Sequence, residues 1–359
     1  MTHTKFVPLA LTAAMVAGCA NCGGTAEPAT ETPLRSDPPV EPVTYEVHEW
    51  GLVRGNAADQ VMLSGPHAQA PQALVPMPMA KPVLYFHRVG DGPLTVSTSV
   101  TIPHGNIVEH WPPATPDGAS ISWPGVGVTS GHCQGSTYPA RSQPPCDQLS
   151  DGCEAAELRN VETDDADCLQ DAAGARWNHL FYRASVTEPP PLPLTIETLP
   201  GGRLRVTHRG EQALAGDLLR LRHPGGNAPA DAALVVSPPS PGQSIELDAP
   251  AGPVAAAADA LSQTLQTAGL TEPEARAFRR AWDGALFALE TTRAAGESVT
   301  ATITTEAPMA SPARPPWTSL VYVLPESTAD AMATLSFEPA PRAVRRVIVA
   351  WIDEANPPN

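Results

Sequence analysis

Residues 94–102 read LTVSTSVTI, and the order of these nine residues points to a sheet. Leu94, Val96, Val100 and Ile102 share one parity, and Thr95, Ser97, Ser99 and Thr101 share the other. Successive side chains of a strand point to opposite faces, so one row is apolar and the other hydroxylic. That alternation predicts a half-buried antiparallel strand. The same grammar recurs in PVLYFHRV (82–89), WNHLFYRASV (177–186), LPLTIETL (192–199), GRLRVTHR (202–209), DLLRLRH (217–223), AALVVS (232–237) and QSIELD (243–248). It returns in SVTATITT (298–305), WTSLVYVLP (317–325) and RAVRRVIVAWI (342–352). Gly and Pro turns separate these runs, and 42 prolines in 359 residues suit a loop-rich β protein rather than a helical one. The expected fold class is mainly β, with β-sandwich-like antiparallel sheets over residues 43–353.

One region breaks the pattern. PVAAAADALSQTLQTAGL places Val254, Ala258, Leu261 and Leu265 at helical spacing and stops at Gly269. TEPEARAFRRAWDGALFALETTR then opens with Thr271 and Glu274, three residues apart as in a capping box. Its apolar stripe is read as Phe278, Trp282, Ala285 and Leu289. A helical hairpin over 254–293, packed on a sheet, is expected.

The N-terminus carries the clearest address. MTHTKFVPLALTAAMVAGCA has a single basic residue, Lys5, then an apolar run from Phe6 to Val16 that is too short to span a bilayer. With Val16-Ala17-Gly18-Cys19 behind it, the stretch resembles a bacterial lipoprotein signal over residues 1–18. That resemblance implies acylation of Cys19 and cleavage before it. Several acyl chains on one residue make a stable anchor, so the lipid bilayer is the expected partner. Ala20 implies the outer membrane as destination. Residues 19–42, rich in Pro, Thr and Glu, read as a disordered tether. The net charge of −16 would be repelled by phosphate backbones, so no nucleic-acid partner is expected.

Export to an oxidising compartment favours disulfides. Cys133, Cys146, Cys153 and Cys168 crowd an acidic segment, 131–175, that reads as a doubly stapled loop. Close C-x₂₋₄-C pairs typical of structural zinc are missing among these four. Loop closure favours Cys133–Cys146 with Cys153–Cys168 among three connectivities, leaving Cys22 over in the tether.

The remaining chemistry centres on VHEWG (47–51) and IVEHWPP (107–113). His48, Glu49, Glu109 and His110 are the catalytic candidates. Strand parity sends His48 and Glu49 to opposite faces, so one strand cannot offer both to one ion. A site would need His48 with His110, plus a third ligand from His87, His104 or His179. Neither H-E-x-x-H nor G-x-S-x-G occurs in these stretches. The expectation is architecture, with Trp50 in the core, His48 held by a hydrogen bond, and no metal or cofactor. ETDDADCLQD (162–171) lacks the glycine and glutamate of an EF-hand loop and reads as a solvated acidic loop, with calcium as the competing reading. Exposed Trp111 and Trp123 would keep carbohydrate binding open.

Taken together, VHEWGLV (47–53), KPVLYFHR (81–88), IVEHWPP (107–113), LFYRASV (180–186), AGLTEPEARAFRRAW (268–282) and VYVLPESTADAMATLSFEPAPRAVRRVIVAWI (321–352) resemble a family. It is an uncharacterised family of exported bacterial proteins whose globular part opens on a vHEWGTF-like strand. The likeness runs from about Val43 to Ile352 and departs at Leu52, where the family tends to have threonine. The resemblance implies export and kinship, and no activity. The expected role is a non-catalytic binding or structural one at the envelope. The alternative is a metal- or carboxylate-dependent hydrolase acting on envelope polymers.

Overall fold

The computed structural model describes residues 43–56, 77–149, 153–225, 228–287, 289 and 316–354. The signal, the tether with Cys19 and Cys22, and the SVTATITT run lie outside the described residues. The described part falls within one compact unit, Pro42–Asn359.

An eight-stranded sheet forms the backbone of the fold. Its strands are β1 (Thr44–Asn56), β2 (Met77–Val89), β4 (Gly105–Trp111), β9 (Leu180–Val186), β12 (Leu218–His223), β13 (Ala232–Val236), β15 (Trp317–Val323) and β17 (Ala343–Asp353). They stand in the order β13-β12-β15-β17-β1-β2-β9-β4. A six-stranded sheet holds β3 (Leu94–Thr101), β5 (Thr115–Asp117), β6 (Ser120–Thr129), β7 (Cys168–Gln170), β8 (Arg176–Trp177) and β16 (Thr334–Glu338). Three strands, β10 (Leu194–Leu199), β11 (Arg203–His208) and β14 (Ser244–Leu247), make a third sheet. The fold is mainly β, as the alternation in LTVSTSVTI demands: Leu94, Val96, Val100 and Ile102 are all buried.

One pairing departs from the antiparallel expectation. β1 and β17 run parallel at the centre of the large sheet, with Glu49 beside Arg346 and Trp50 beside Val347. The two strands lie at opposite ends of the described chain, so the crossover that parallel pairing needs is amply available. Residues 346–353 of β17 are buried throughout, which is why VIVAWI reads as a continuous apolar run rather than an alternating one.

Two apolar cores lie on either side of the large sheet. Val47, Leu84 and Phe86 share one with the smaller sheets, through residues such as Val96, Val100 and Leu204. Trp50, Val83 and Tyr85 share the other with the helical hairpin and the disulfide-bearing segment. The hairpin is α1 (Val254–Thr267) and α2 (Glu272–Phe287). A third helix, α3 (Glu326–Met332), follows β15. Gly269, at φ +114°, adopts the left-handed conformation that ends α1 without penalty to a side chain. The capping box is present: the Thr271 amide donates to Glu274 Oε2 at 2.8 Å, and the Glu274 amide to Thr271 Oγ1 at 3.3 Å.

The stripe of α2 is rotated from the expected one. Ala285 is exposed, whereas Glu274, Phe278, Asp283 and Leu286 face inward. A polarity count assigns Glu274 and Asp283 to water. Both are buried because each has a partner, Asp283 taking Arg279 Nε at 2.5 Å.

The disulfides also correct the expectation. Cys133 pairs with Cys168 and Cys146 with Cys153, with Cα atoms 4.6 and 5.0 Å apart. Loop length did not decide the connectivity. β7 pairs with β6 so that Cys168 lies opposite Thr129, and four residues beyond Thr129 the chain delivers Cys133 to it. The segment 131–175 is therefore not one loop. It contributes 3₁₀ turns at Cys146–Gln148 and Ala155–Val161, and the strand β7, to the packed body.

Candidate functional site

The VHEWG strand turns its residues to two different neighbourhoods. In the β1–β2 register His48 stands opposite Tyr85 and Glu46 opposite His87. His48 and His87 are thus diagonal neighbours on the face covered by the hairpin, with ring centres 4.4 Å apart. Trp50 lies on that face too, fully buried and edge-on to Phe278 of α2 at 5.3 Å. The register shifts between Trp50 and Leu52. A Cβ on Gly51 would stand 3.2 Å from Pro82 Cα, so the glycine admits this close approach.

The first turn of α2 lowers Glu274 onto the two histidines. Its Oε1 lies 2.8 Å from His87 Nε2, and its Oε2 lies 2.9 Å from His48 Nδ1. The carboxylate is buried, His48 is nearly so, and the His87 side chain keeps 19% of its exposure. Burial pushes the Glu274 carboxyl up, but hydrogen bonds and charge from His48 and His87 prevail and hold it at about 2. Burial pulls His87 down, and Glu274 more than reverses this, raising it above its ordinary value. His87 Nδ1 lies 3.2 Å from the Asp165 carbonyl oxygen. His48 Nε2 stands 3.9 Å from a Glu46 carboxylate oxygen. Two imidazoles and a carboxylate converge here with solvent at one edge.

The expected candidates are dispersed. Glu49 faces the opposite core, fully buried, where it accepts from Arg346 Nε and Tyr182 Oη, both at 2.6 Å. Arg346 extends on to Asp330 of α3 at 2.7 Å. Glu109 is buried on the hairpin side. It accepts from Arg183 Nε at 3.0 Å and from the amides of Glu154 and Ala155 at 3.1 and 2.8 Å. Those amides begin the 3₁₀ turn at Ala155–Val161, so the carboxylate caps that turn. The nearby Cys146 and Cys153 are bonded to one another, which leaves no thiolate for a metal there.

His110 lies in a different place from His48. It lines a groove of about 350 Å³ with Val108, Trp111, Pro113, Pro145 and Leu149, and burial lowers its pKa. His104 is exposed beside Glu188 at 3.4 Å. His179 is fully buried, stacked on Tyr138 and edge-on to Tyr85. Burial depresses it to about 3. The sugar-stacking reading loses Trp123, which is buried and donates its indole N–H to the Pro112 carbonyl at 2.9 Å. In ETDDADCLQD, Asp167 accepts the amides of Arg88 and Gly131, and Asp171 those of Ala173 and Ala175. Both aspartates hold turns together, while Asp164 and Asp165 are exposed.

Of the histidines proposed to join His48, only His87 does so. Glu274 was visible in the sequence solely as a capping residue, because its other partners lie 226 and 187 positions away. The readable signal was parity: His48, and whichever β2 residue shares its face, must meet whatever covers that face.

No protein-family model matches the chain, and no curated protein matches it. Among solved structures, the Fcho1 Mu homology domain of Danio rerio with bound Eps15 peptide is 11% identical, with 88% of this chain and 98% of that chain covered. The TM-score is 0.31, a likeness too slight to carry an argument.

Proposed function

We propose that this chain is an exported lipoprotein, held to the outer membrane by acylated Cys19, whose β-rich body does binding or structural rather than catalytic work. The observation that carries this reading is how the carboxylates of the HEW and EHW strands are used. Glu49 neutralises a buried arginine on one face of the large sheet, and Glu109 caps a turn and pairs Arg183 on the other. The hydrolase alternative asks both strands to present free acids to one cleft. Export is supported by the lipobox-like Val16-Ala17-Gly18-Cys19 and by two disulfides, which persist in oxidising compartments. No helix among the described residues is long and apolar enough to cross a membrane, so anchorage by acyl chains is consistent with the described helices.

The test has two arms. Cys19→Ala should move the protein from the membrane fraction to the periplasmic or secreted fraction; unchanged detergent partitioning rejects the anchor. Glu109→Gln should destabilise the fold by about 1.5–3 kcal/mol, the range for hydrogen bonds to charged groups. An unaltered melting temperature in Glu109→Gln, joined to loss of a hydrolysis of envelope polymers that the wild type performs, would favour the hydrolase.

A further inference from the structure

We propose that His48, His87 and Glu274 form a binding site for one first-row divalent transition ion, of the zinc class. No ligand spacing along the chain predicts a metal here. Folding brings one atom from each of the three side chains within 4.8 Å of the others.

The hydrogen-bonding capacity of His87 makes the argument. The Asp165 carbonyl can only accept, so a hydrogen bond across the 3.2 Å contact places the proton on His87 Nδ1. A neutral His87 then turns the bare lone pair of Nε2 toward Glu274 Oε1, 2.8 Å away. In that tautomer two acceptors face each other at 2.8 Å and repel, and a cation bound by both relieves the repulsion. A second proton on His87 or a metal ion held by both groups supplies it, whereas the other neutral tautomer donates to Glu274 and forgoes the Asp165 bond.

Three observations favour the metal. The donor set is two imidazole nitrogens and a carboxylate, a combination suited to zinc and its neighbours. His87 carries an outer partner, the Asp165 carbonyl at 3.2 Å from its Nδ1, while His48 Nε2 has the Glu46 carboxylate 3.9 Å away, beyond hydrogen-bond reach. A hydrogen-bonded outer partner fixes ring orientation and increases ligand basicity. Ligand atoms around a tetrahedral ion at about 2.0–2.1 Å stand about 3.3 Å apart. The present separations of 2.8–3.1 Å from Glu274 to the histidines need to widen by a few tenths of an ångström, and the two histidine nitrogens, within 4.8 Å of each other, to settle at about 3.3 Å. Exposure is greatest at the His87 edge, 19% against 10% for the His48 side chain, and supplies an entry path for the ion. The ion would pin α2 to β1 and β2, at the point where the hairpin meets the sheet.

The experiment uses the full chain purified without a polyhistidine tag and stripped with a chelator. Cobalt(II) is titrated as a spectroscopic stand-in for zinc, and bound metal is counted by elemental analysis. One equivalent should bind, with visible bands of four- or five-coordinate cobalt, and the melting temperature should rise until that equivalent is reached. Even outer-shell partners are worth about 10–100-fold in affinity, so His87→Gln should weaken binding by at least about 100-fold. Glu274→Gln should do the same while keeping a side-chain acceptor for the Thr271 amide, so the cap survives. His104→Gln, at an exposed histidine, should bind as wild type does. Failure of the wild type to bind stoichiometric cobalt or zinc overturns the proposal and leaves a protonated His87 as the cation. Binding unchanged in both His87→Gln and Glu274→Gln overturns it equally.

Discussion

Replacing Arg346 by methionine tests whether Glu49 is architecture. Glu49 is wholly buried, and Arg346 keeps 2% of its side-chain exposure. Removing the guanidinium leaves a carboxylate with the Tyr182 hydroxyl as its remaining side-chain partner. Breaking a buried ion pair from one side typically costs about 3–5 kcal/mol, because the other charge is stranded. For a body of roughly 300 residues the melting entropy is about 0.6 kcal/mol/K, so Arg346→Met should lower Tm by about 5–8 °C. Asp330, the second carboxylate on Arg346, is 59% exposed and returns to water at little cost, while the buried Ala333 carbonyl loses the donor it has at 2.6 Å. Adding Glu49→Gln keeps an acceptor for Tyr182 and removes the stranded charge. The double variant should therefore melt above Arg346→Met alone. Calorimetric melting of wild type, both single variants and the double variant measures the coupling directly. If the penalties simply add, the two residues are not a buried pair and the structural reading of HEW fails.

Peptide mapping under non-reducing conditions should recover Cys133 linked to Cys168 and Cys146 linked to Cys153; sequential pairing of Cys133 with Cys146 would contradict the β6–β7 register. His179 predicts an acid sensitivity of definite sign. Its folded value of about 3 lies below the ordinary 6.5, so the unfolded chain takes a proton that the fold refuses. Its contribution is complete above pH 6.5 and is lost as pH falls toward 3, by up to about 1.4 kcal/mol per pH unit. Urea midpoints measured from pH 7 to pH 4 should fall more steeply for wild type than for His179→Phe, and parallel curves would refute this assignment.

Much of the fold was legible because strand and helix periods are local. The alternation in 94–102 depends on residues two apart, and the Thr271–Glu274 cap on residues three apart. Parity alone separated His48 from Glu49, and the sheet places them in different cores because side chains of one strand must alternate. The stripe of α2 departs from its polarity pattern for a related reason: polarity describes a residue by itself, while burial of Glu274 and Asp283 depends on their partners. The cysteine pairing failed likewise, since loop entropy is a property of spacing and the β6–β7 register is not.

What the sequence determined by itself was the class of elements, their approximate limits, the core role of Trp50 and the opposed faces of His48 and Glu49. Tertiary structure alone decided that β1 lies parallel to β17, that Cys133 meets Cys168, and that Glu274 descends between His48 and His87. Each of these joins residues far apart along the chain. Such contacts form when buried faces seek cover and buried polar groups seek partners, and neither requirement leaves a periodic mark along the chain.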